Sequence, residues 1–253
     1  MAIDQEKRRS VVITGASAGI GRALALEFAA RGYHLGLTAR RSDVLEAVAA
    51  EIRHAHPDPA RRIALARLDV DQDHTVEATL HALFETLGGA DIVLVNAGIN
   101  DFTRVGRGQL ARQKQIIQTN LVGAIATIDA SVAYWLARKG AGHIVGVSSL
   151  ASLQAIPGQA AYCATKAALS MYLDATRAEL RRKNIVVTTI LPGFVKTDIV
   201  AGIEKYPFAA DAAQVAREIV SAVERRKKTG IVPGYPWKWL RPLFGHIPLR
   251  FLR

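Results

Sequence analysis

The strongest constraint on the fold is a regular alternation of short β-branched runs with longer stretches of helical periodicity. Val11–Thr14 (V-V-I-T), His34–Ala39, Arg62–Leu68, Asp91–Asn96, His143–Ser148 and Ile185–Leu191 read as strands, with Gly230–Pro233 as a last one. Between them, Ile20–Arg31, a helix N-capped by Ser42, Gln72–Leu87, Gln109–Ala137, Gly158–Arg182 and a helix N-capped by Asp211 and running to Lys227 read as helices. The fourth strand, D-I-V-L-V-N, is apolar at every inner position, as a strand covered on both faces has to be. Such alternation predicts an α/β fold: a doubly wound parallel sheet of about seven strands with helices on both faces. No repeat, low-complexity segment or Pro/Gly/Ser linker divides residues 1–253, so one domain is expected, with 235–253 a basic, aromatic extension.

Half the residues are apolar, enough for a sizeable core. Met1–Ser10 is charged and lacks the apolar run of a secretory signal, and no charge-free stretch of about 18 apolar residues suggests a spanning helix. A single cysteine, Cys163, rules out an internal disulfide framework and fits a reducing, cytoplasmic setting. The formal charge of +11 is concentrated at the C-terminus: Arg225 to Arg253 carries eight cations and no acid. Seven histidines without ligand spacing, and one cysteine, predict no metal site.

The first strand is followed by T-G-A-S-A-G-I-G, Thr14 to Gly21, with Gly15, Gly19 and Gly21 at G-x3-G-x-G. Glycines between a strand and a helix allow a tight turn and close backbone approach to a pyrophosphate, which the helix N-terminus then stabilises. After the second strand, where an acid would meet a free ribose 2′-hydroxyl, stand Arg40 and Arg41. A guanidinium suits a 2′-phosphate, so the pair favours NADP over NAD; two solvated loop arginines are the plainer alternative. In Y-C-A-T-K, Tyr162 and Lys166 lie one helical turn apart on one face. A cation there is expected to lower the phenol's pKa from its usual value near 10.

Together with Asn96-Ala97-Gly98, Asn120, Ser149 and Pro192-Gly193, these motifs resemble the short-chain dehydrogenase/reductase family, in order, over about Ser10 to Pro233. The resemblance implies a Rossmann-type fold and hydride transfer between NADP(H) and a carbonyl or alcohol. It implies that Tyr162 is the general acid/base, that Lys166 tunes it and holds the nicotinamide ribose, and that Ser149 binds the substrate oxygen, with Ser148 as the rival. Asn120 would kink its helix and hold a water in a proton relay; a capping or solvated amide is the alternative. Gly15, Ser17, Gly19, Ile20 and Gly21 would hold the pyrophosphate, with Arg40 and Arg41 at the ribose. Asp69-Val70 would contact the adenine, although Asp69 also suits a simple turn. Asn96 would stabilise the sheet, Ala97-Gly98 would admit the cofactor, and Pro192, Gly193, Val195 and Thr197 would line the nicotinamide. Homodimers or homotetramers through the long helices near 109–137 and 158–182 follow by the same analogy.

Substrate signals are thinner. Val195–Asp211 corresponds to a mobile lid in the family, and Ile199, Val200, Ile203, Tyr206 and Phe208 could line a greasy pocket or pack as ordinary core. The expectation is an apolar carbonyl compound: a lipid-, steroid- or xenobiotic-like ketone or aldehyde. The tail from Tyr235 mixes aromatics with basic residues, which suits either an anionic lipid surface or packing on the body or a partner subunit. Nucleic-acid binding is not expected. The alternative function is a non-catalytic NADP-binding or membrane-surface protein, but the set Asn120, Ser149, Tyr162 and Lys166 favours an enzyme.

Overall fold

The computed structural model describes residues 8–197 and 208–244. Ile199, Val200, Ile203, Tyr206 and the tail beyond 244, on which expectations about the lid and the extension rested, lie outside the described residues. The chain runs β1 (Ser10–Thr14), α1 (Gly19–Ala30), β2 (His34–Ala39), α2 (Ser42–Ala55), β3 (Ile63–Arg67), α3 (Asp73–Leu87) and β4 (Ile92–Val95). It continues with α4 (Leu110–Ile117), α5 (Gly123–Ala137), β5 (Gly142–Val147), α6 (Ala160–Glu179) and β6 (Ile185–Pro192). The short β7 (Val195–Lys196) and β8 (Ala210–Asp211) pair with each other, then come α7 (Ala212–Glu224), β9 (Thr229–Val232) and α8 (Trp237–Leu240).

Seven strands form one parallel sheet in the order β3-β2-β1-β4-β5-β6-β9. The chain leaves β1 in one direction and returns at β4 in the other, so β1 and β4 flank a topological switch point, where doubly wound sheets open a crevice at the strands' C-terminal ends. Alternate β1 residues feed opposite cores. Val11 and Ile13 pack with α1, α2 and α7, while Val12 packs with α3, α5 and α6. The strand signal was apolarity on both faces, and every residue of β1, β4 and β5 is buried.

Several local expectations give way to tertiary structure. Ser42 is the first helical residue rather than the N-cap; extended Arg41 holds that position without a side-chain cap. Asp211 does occupy the N-cap of α7, yet its carboxylate makes no cap bond and instead pairs with Lys196 at 3.0 Å. The stretch 109–137 is not uniform: Gln118–Val122 forms a π-helical turn between α4 and α5. By length and composition Leu110–Ala137 could cross a membrane, contrary to expectation, but half of its most apolar 18-residue window (mean hydropathy 1.4) is buried in the fold. It packs so closely that a Cβ on Gly123 would come within 2.7 Å of the Val70 carbonyl oxygen.

Candidate active site

One cavity of about 1510 Å³ follows the C-terminal edge of the sheet across the switch point. That exceeds the roughly 300–1,000 Å³ of a single drug-sized ligand and leaves room for a dinucleotide and a second molecule. Every residue predicted for cofactor or catalysis lines it except Asn120.

The glycine turn is built to keep side chains out. Gly15 and Gly19 adopt φ of +69° and +53°, in the left-handed region that favours glycine. A Cβ on Gly21 would stand 2.2 Å from the Gly15 carbonyl oxygen. Asn96 lies across the turn: its Nδ2 donates to the carbonyls of Thr14 (2.9 Å) and Gly15 (3.3 Å), and its backbone N–H donates to Thr14 Oγ1. Asn96 thus ties the end of β4 to the end of β1, and Ala97 and Gly98 follow along the cavity. At the far end Arg40 and Arg41 are both exposed, with Asp69 and Val70 beside them on the cavity wall. Asp69 also makes the turn expected of it, its Oδ1 accepting from the Asp71 N–H at 3.2 Å.

At the other end stand Ser149, Tyr162 and Lys166. The two neighbouring serines separate cleanly. Ser148 is 2% exposed, and its hydroxyl donates to the Lys166 carbonyl at 2.9 Å and meets Ser170 Oγ at 2.8 Å. Ser149 has left the strand; its Oγ accepts from the Ala151 N–H at 3.1 Å and faces Tyr162. Burial pushes the Tyr162 phenol up to about 12, against the opposing hydrogen bond with Ser149. The expected lowering by Lys166 is therefore absent from this arrangement. The ammonium donates to the Val147 carbonyl at 2.9 Å and stands 5.7 Å from the centre of the Tyr162 ring. Lys166 itself is 5% exposed, and burial lowers it to about 8. At neutral pH the phenol is therefore protonated, and burial brings the lysine down to about 8 without removing its proton there.

Asn120 is 1% exposed, in the π-helical turn, so it is neither a solvated nor a capping amide. It clamps the backbone of Ile99: Oδ1 accepts from the N–H and Nδ2 donates to the carbonyl, both at 2.8 Å. A Cβ on Gly98 would lie 3.3 Å from Asn120 Oδ1 and 3.6 Å from Lys166 Nζ, so Asn120 stands behind the cavity wall rather than on it.

Near the reactive end, Pro192, Gly193, Val195 and Thr197 line the cavity, with Thr197 against Gly19. Sequence reasoning missed the rest of this wall. Phe194, Trp237, Leu240 and Phe244 close it together with Leu150. Trp237 is 8% exposed and meets the Phe194 ring edge-on at 5.4 Å. Nothing in the spacing of Tyr235–Phe244 distinguishes the inward tryptophan from the outward Trp239, which is 78% exposed. Cys163 is buried, its thiol raised by burial, and takes no part in the cavity. Among the described residues no cluster of His, Cys, Asp or Glu could hold a metal.

Comparison with known proteins decides the family. The short chain dehydrogenase family matches residues 9–207. The chain is a short-chain dehydrogenase/reductase. It is 37% identical to an uncharacterized oxidoreductase of Mycobacterium tuberculosis over 247 residues, covering 97% of this chain and 96% of the relative. Among solved structures, this short-chain dehydrogenase/reductase resembles an alcohol dehydrogenase from Thermococcus sibiricus complexed with 5-hydroxy-NADP (26% identity, 89% and 95% of the two chains, TM-score 0.79). A Burkholderia phymatum family member in complex with NAD shares the fold (21% identity, 97% and 96%, TM-score 0.83). Nicotinamide cofactors thus belong to the family in both forms, and the side-chain-free glycine cradle of this short-chain dehydrogenase/reductase fits such a group.

Proposed function

We propose that the protein is an NADP-dependent carbonyl reductase or alcohol dehydrogenase acting on an apolar ketone or aldehyde, with Tyr162 as general acid/base. One observation carries this reading: Ser149, Tyr162 and Lys166 converge at one end of a single cavity whose other end is the glycine turn flanked by Arg40 and Arg41. A nicotinamide bound there supplies or accepts the hydride. The chain's part is to bind, orient and move a proton. The Ser149 hydroxyl holds the substrate oxygen and steadies the charge that grows on it. The Tyr162 phenol, protonated well beyond neutral pH, delivers its proton to that oxygen during reduction. Lys166 completes the set, with Asn120 fixing the backbone beside it.

Preference for NADP rests on Arg40 and Arg41, since a guanidinium offers paired donors to a 2′-phosphate where an acid would repel it. Arg40→Asp should shift the ratio of kcat/KM for NADPH over NADH toward NADH by about 10-fold or more, from the loss of a charge-assisted contact. An unchanged ratio would mean that the phosphate is read elsewhere. Preference for an apolar substrate rests on the wall of Phe194, Trp237, Leu240 and Phe244.

A second proposal concerns the outward face of the same segment. Tyr235 and Trp239 are 75% and 78% exposed, with Lys238 and Arg241 between and after them, and Leu243 is more than half exposed at the cavity edge. Interfacial aromatics among cations and no acids suit contact with an anionic lipid surface. Full-length protein should sediment with phosphatidylserine-containing vesicles, and Trp239→Ala/Lys238→Glu should stay in the supernatant; equal sedimentation of both would remove this face from the account.

A further inference from the structure

The cavity holds one charge that neither the cofactor nor the proton transfer uses. Five charged side chains line it: Arg40, Arg41 and Asp69 at the cofactor end, Lys166 buried near Tyr162, and Arg104. Arg104 is exposed. Phe102 and Val105 beside it in the chain also line the cavity, yet are 54% and 80% exposed, which puts this loop at the mouth.

The loop is fastened to the segment that leads into Tyr162. The Thr103 N–H donates to the Gly158 carbonyl at 2.7 Å, and Asn100 Nδ2 donates to Gln159 Oε1 at 3.3 Å. A Cβ on Gly158 would stand 2.1 Å from Phe102 Cε2, so the ring lies directly on the backbone four residues before the phenol. The Arg104 guanidinium sits over that ring, with Cζ 5.4 Å from its centre, and the Arg104 N–H donates to Gln109 Oε1 at 2.8 Å. A ring contact holds a cation in place without neutralising it. The nearest acid in the sequence is already engaged: Asp101 Oδ2 pairs with Arg112 at 2.8 Å, and its Oδ1 accepts from the Phe102 N–H. Among the described residues Arg104 has no ion pair, and its guanidinium makes no hydrogen bond. Asp69, the one carboxylate among the described residues on the cavity wall, stands at the opposite end.

Unpaired arginines are common on open surfaces. This one borders the mouth of a cavity whose inner wall, Phe194, Trp237, Leu240 and Phe244, is apolar. A molecule that sends a carbonyl in toward Ser149 and Tyr162 leaves its other end beside the guanidinium. We infer that Arg104 receives a carboxylate at the end of the substrate away from the reacting carbonyl. The inference rests on the proposed function and narrows its substrate class to keto or aldehyde acids with an apolar body. The planar fork of N–H donors matches a carboxylate in geometry as well as charge.

The test uses two substrates of equal shape with NADPH: a methyl ketone whose straight apolar chain ends in a carboxylate, and the same ketone ending in a primary carboxamide. At low salt, wild type should prefer the keto acid by about threefold or more in kcat/KM, as one well-aligned charge pair near solvent gives. Arg104→Gln should bring the ratio to about one, and Arg104→Glu should turn it below one. A smaller wild-type ratio overturns the inference without reliance on any variant's folding, and so does a preference that survives in Arg104→Gln. The wild-type ratio should also shrink at about 1 M salt, where the Debye length is roughly 3 Å; a ratio indifferent to salt counts against the charge pair. Equal turnover of both ketones leaves the proposed function standing while this inference falls. Turnover of neither sinks the proposed function and the inference with it.

Discussion

A lysine 5% exposed, bonded to the Val147 carbonyl and lowered to about 8, sits where its charge can be switched within the working pH range. If the Lys166 cation is required, kcat/KM for reduction should be level below about pH 8 and fall above it as the ammonium loses its proton. The Tyr162 phenol, pushed up to about 12, should contribute no inflection in that range. A profile flat from pH 7 to 10 would contradict this assignment. The adjacent serines give a paired prediction. Ser149→Ala should cut kcat by about 100-fold, as loss of one donor to a developing oxyanion does, with a stability loss of about 1 kcal/mol from the Ala151 N–H that its hydroxyl caps. Ser148→Ala should cost about 1–3 kcal/mol in denaturant unfolding by orphaning buried partners, with turnover per folded molecule largely kept. Reversed effects would exchange the two roles. The residue types of this site were legible as motifs, but the state of the pair was not. Whether Lys166 reaches the phenol or the Val147 carbonyl depends on a contact 19 residues away in the chain, on β5.

Among the elements, β5 begins with a buried titratable group far from the chemistry. His143 Nε2 meets Thr188 Oγ1 at 2.8 Å, and that hydroxyl donates onward to the Lys227 carbonyl, so the imidazole carries its proton on Nε2. Nδ1 has no partner among the described residues, and desolvation, followed by Arg9 and Arg226, lowers the pKa to about 4. The folded-state value lies below the ordinary 6.5, so the unfolded chain binds the extra proton first. Stability is fully present above about pH 6.5 and falls as the pH drops toward 4, by about 3 kcal/mol. His143→Gln keeps a donor and removes the titration, so its unfolding free energy should fall less than wild type's across that window; parallel losses would place the acid sensitivity elsewhere. The seven strands of the main sheet and the helices between them were readable from periodicity, whereas the two-residue β7 and β8 and the four-residue α8 are too short to show a period. The π-helical turn at Gln118–Val122 was not readable either, since it answers to the clamp between Asn120 and Ile99 rather than to local propensity.

At the scale of the whole molecule, the long helices leave large apolar side chains in solvent: Leu110 and Ile117 on α4, Leu136 on α5 and Met171 on α6. We propose that they meet another copy of the chain, giving a homodimer or homotetramer. Light scattering should then report a multiple of 27.3 kDa that Met171→Glu reduces; a wild-type monomer would remove the assembly. The doubly wound sheet was legible because its inner strands β1, β4 and β5 are buried on both faces, while the edge strands β3 and β9 are only partly covered. The C-terminal wall was not, because two tryptophans two residues apart face opposite ways for reasons set by Gly193, Phe194 and Leu150, distant in sequence. The central claim, that one cavity holds an NADPH-dependent carbonyl reduction with Tyr162 as the acid, is tested most directly by NADPH oxidation with a bulky apolar ketone in wild type and Tyr162→Phe. The account predicts turnover in wild type and a loss of at least about 100-fold in the variant with NADPH affinity retained. Equal turnover in the two proteins would contradict it.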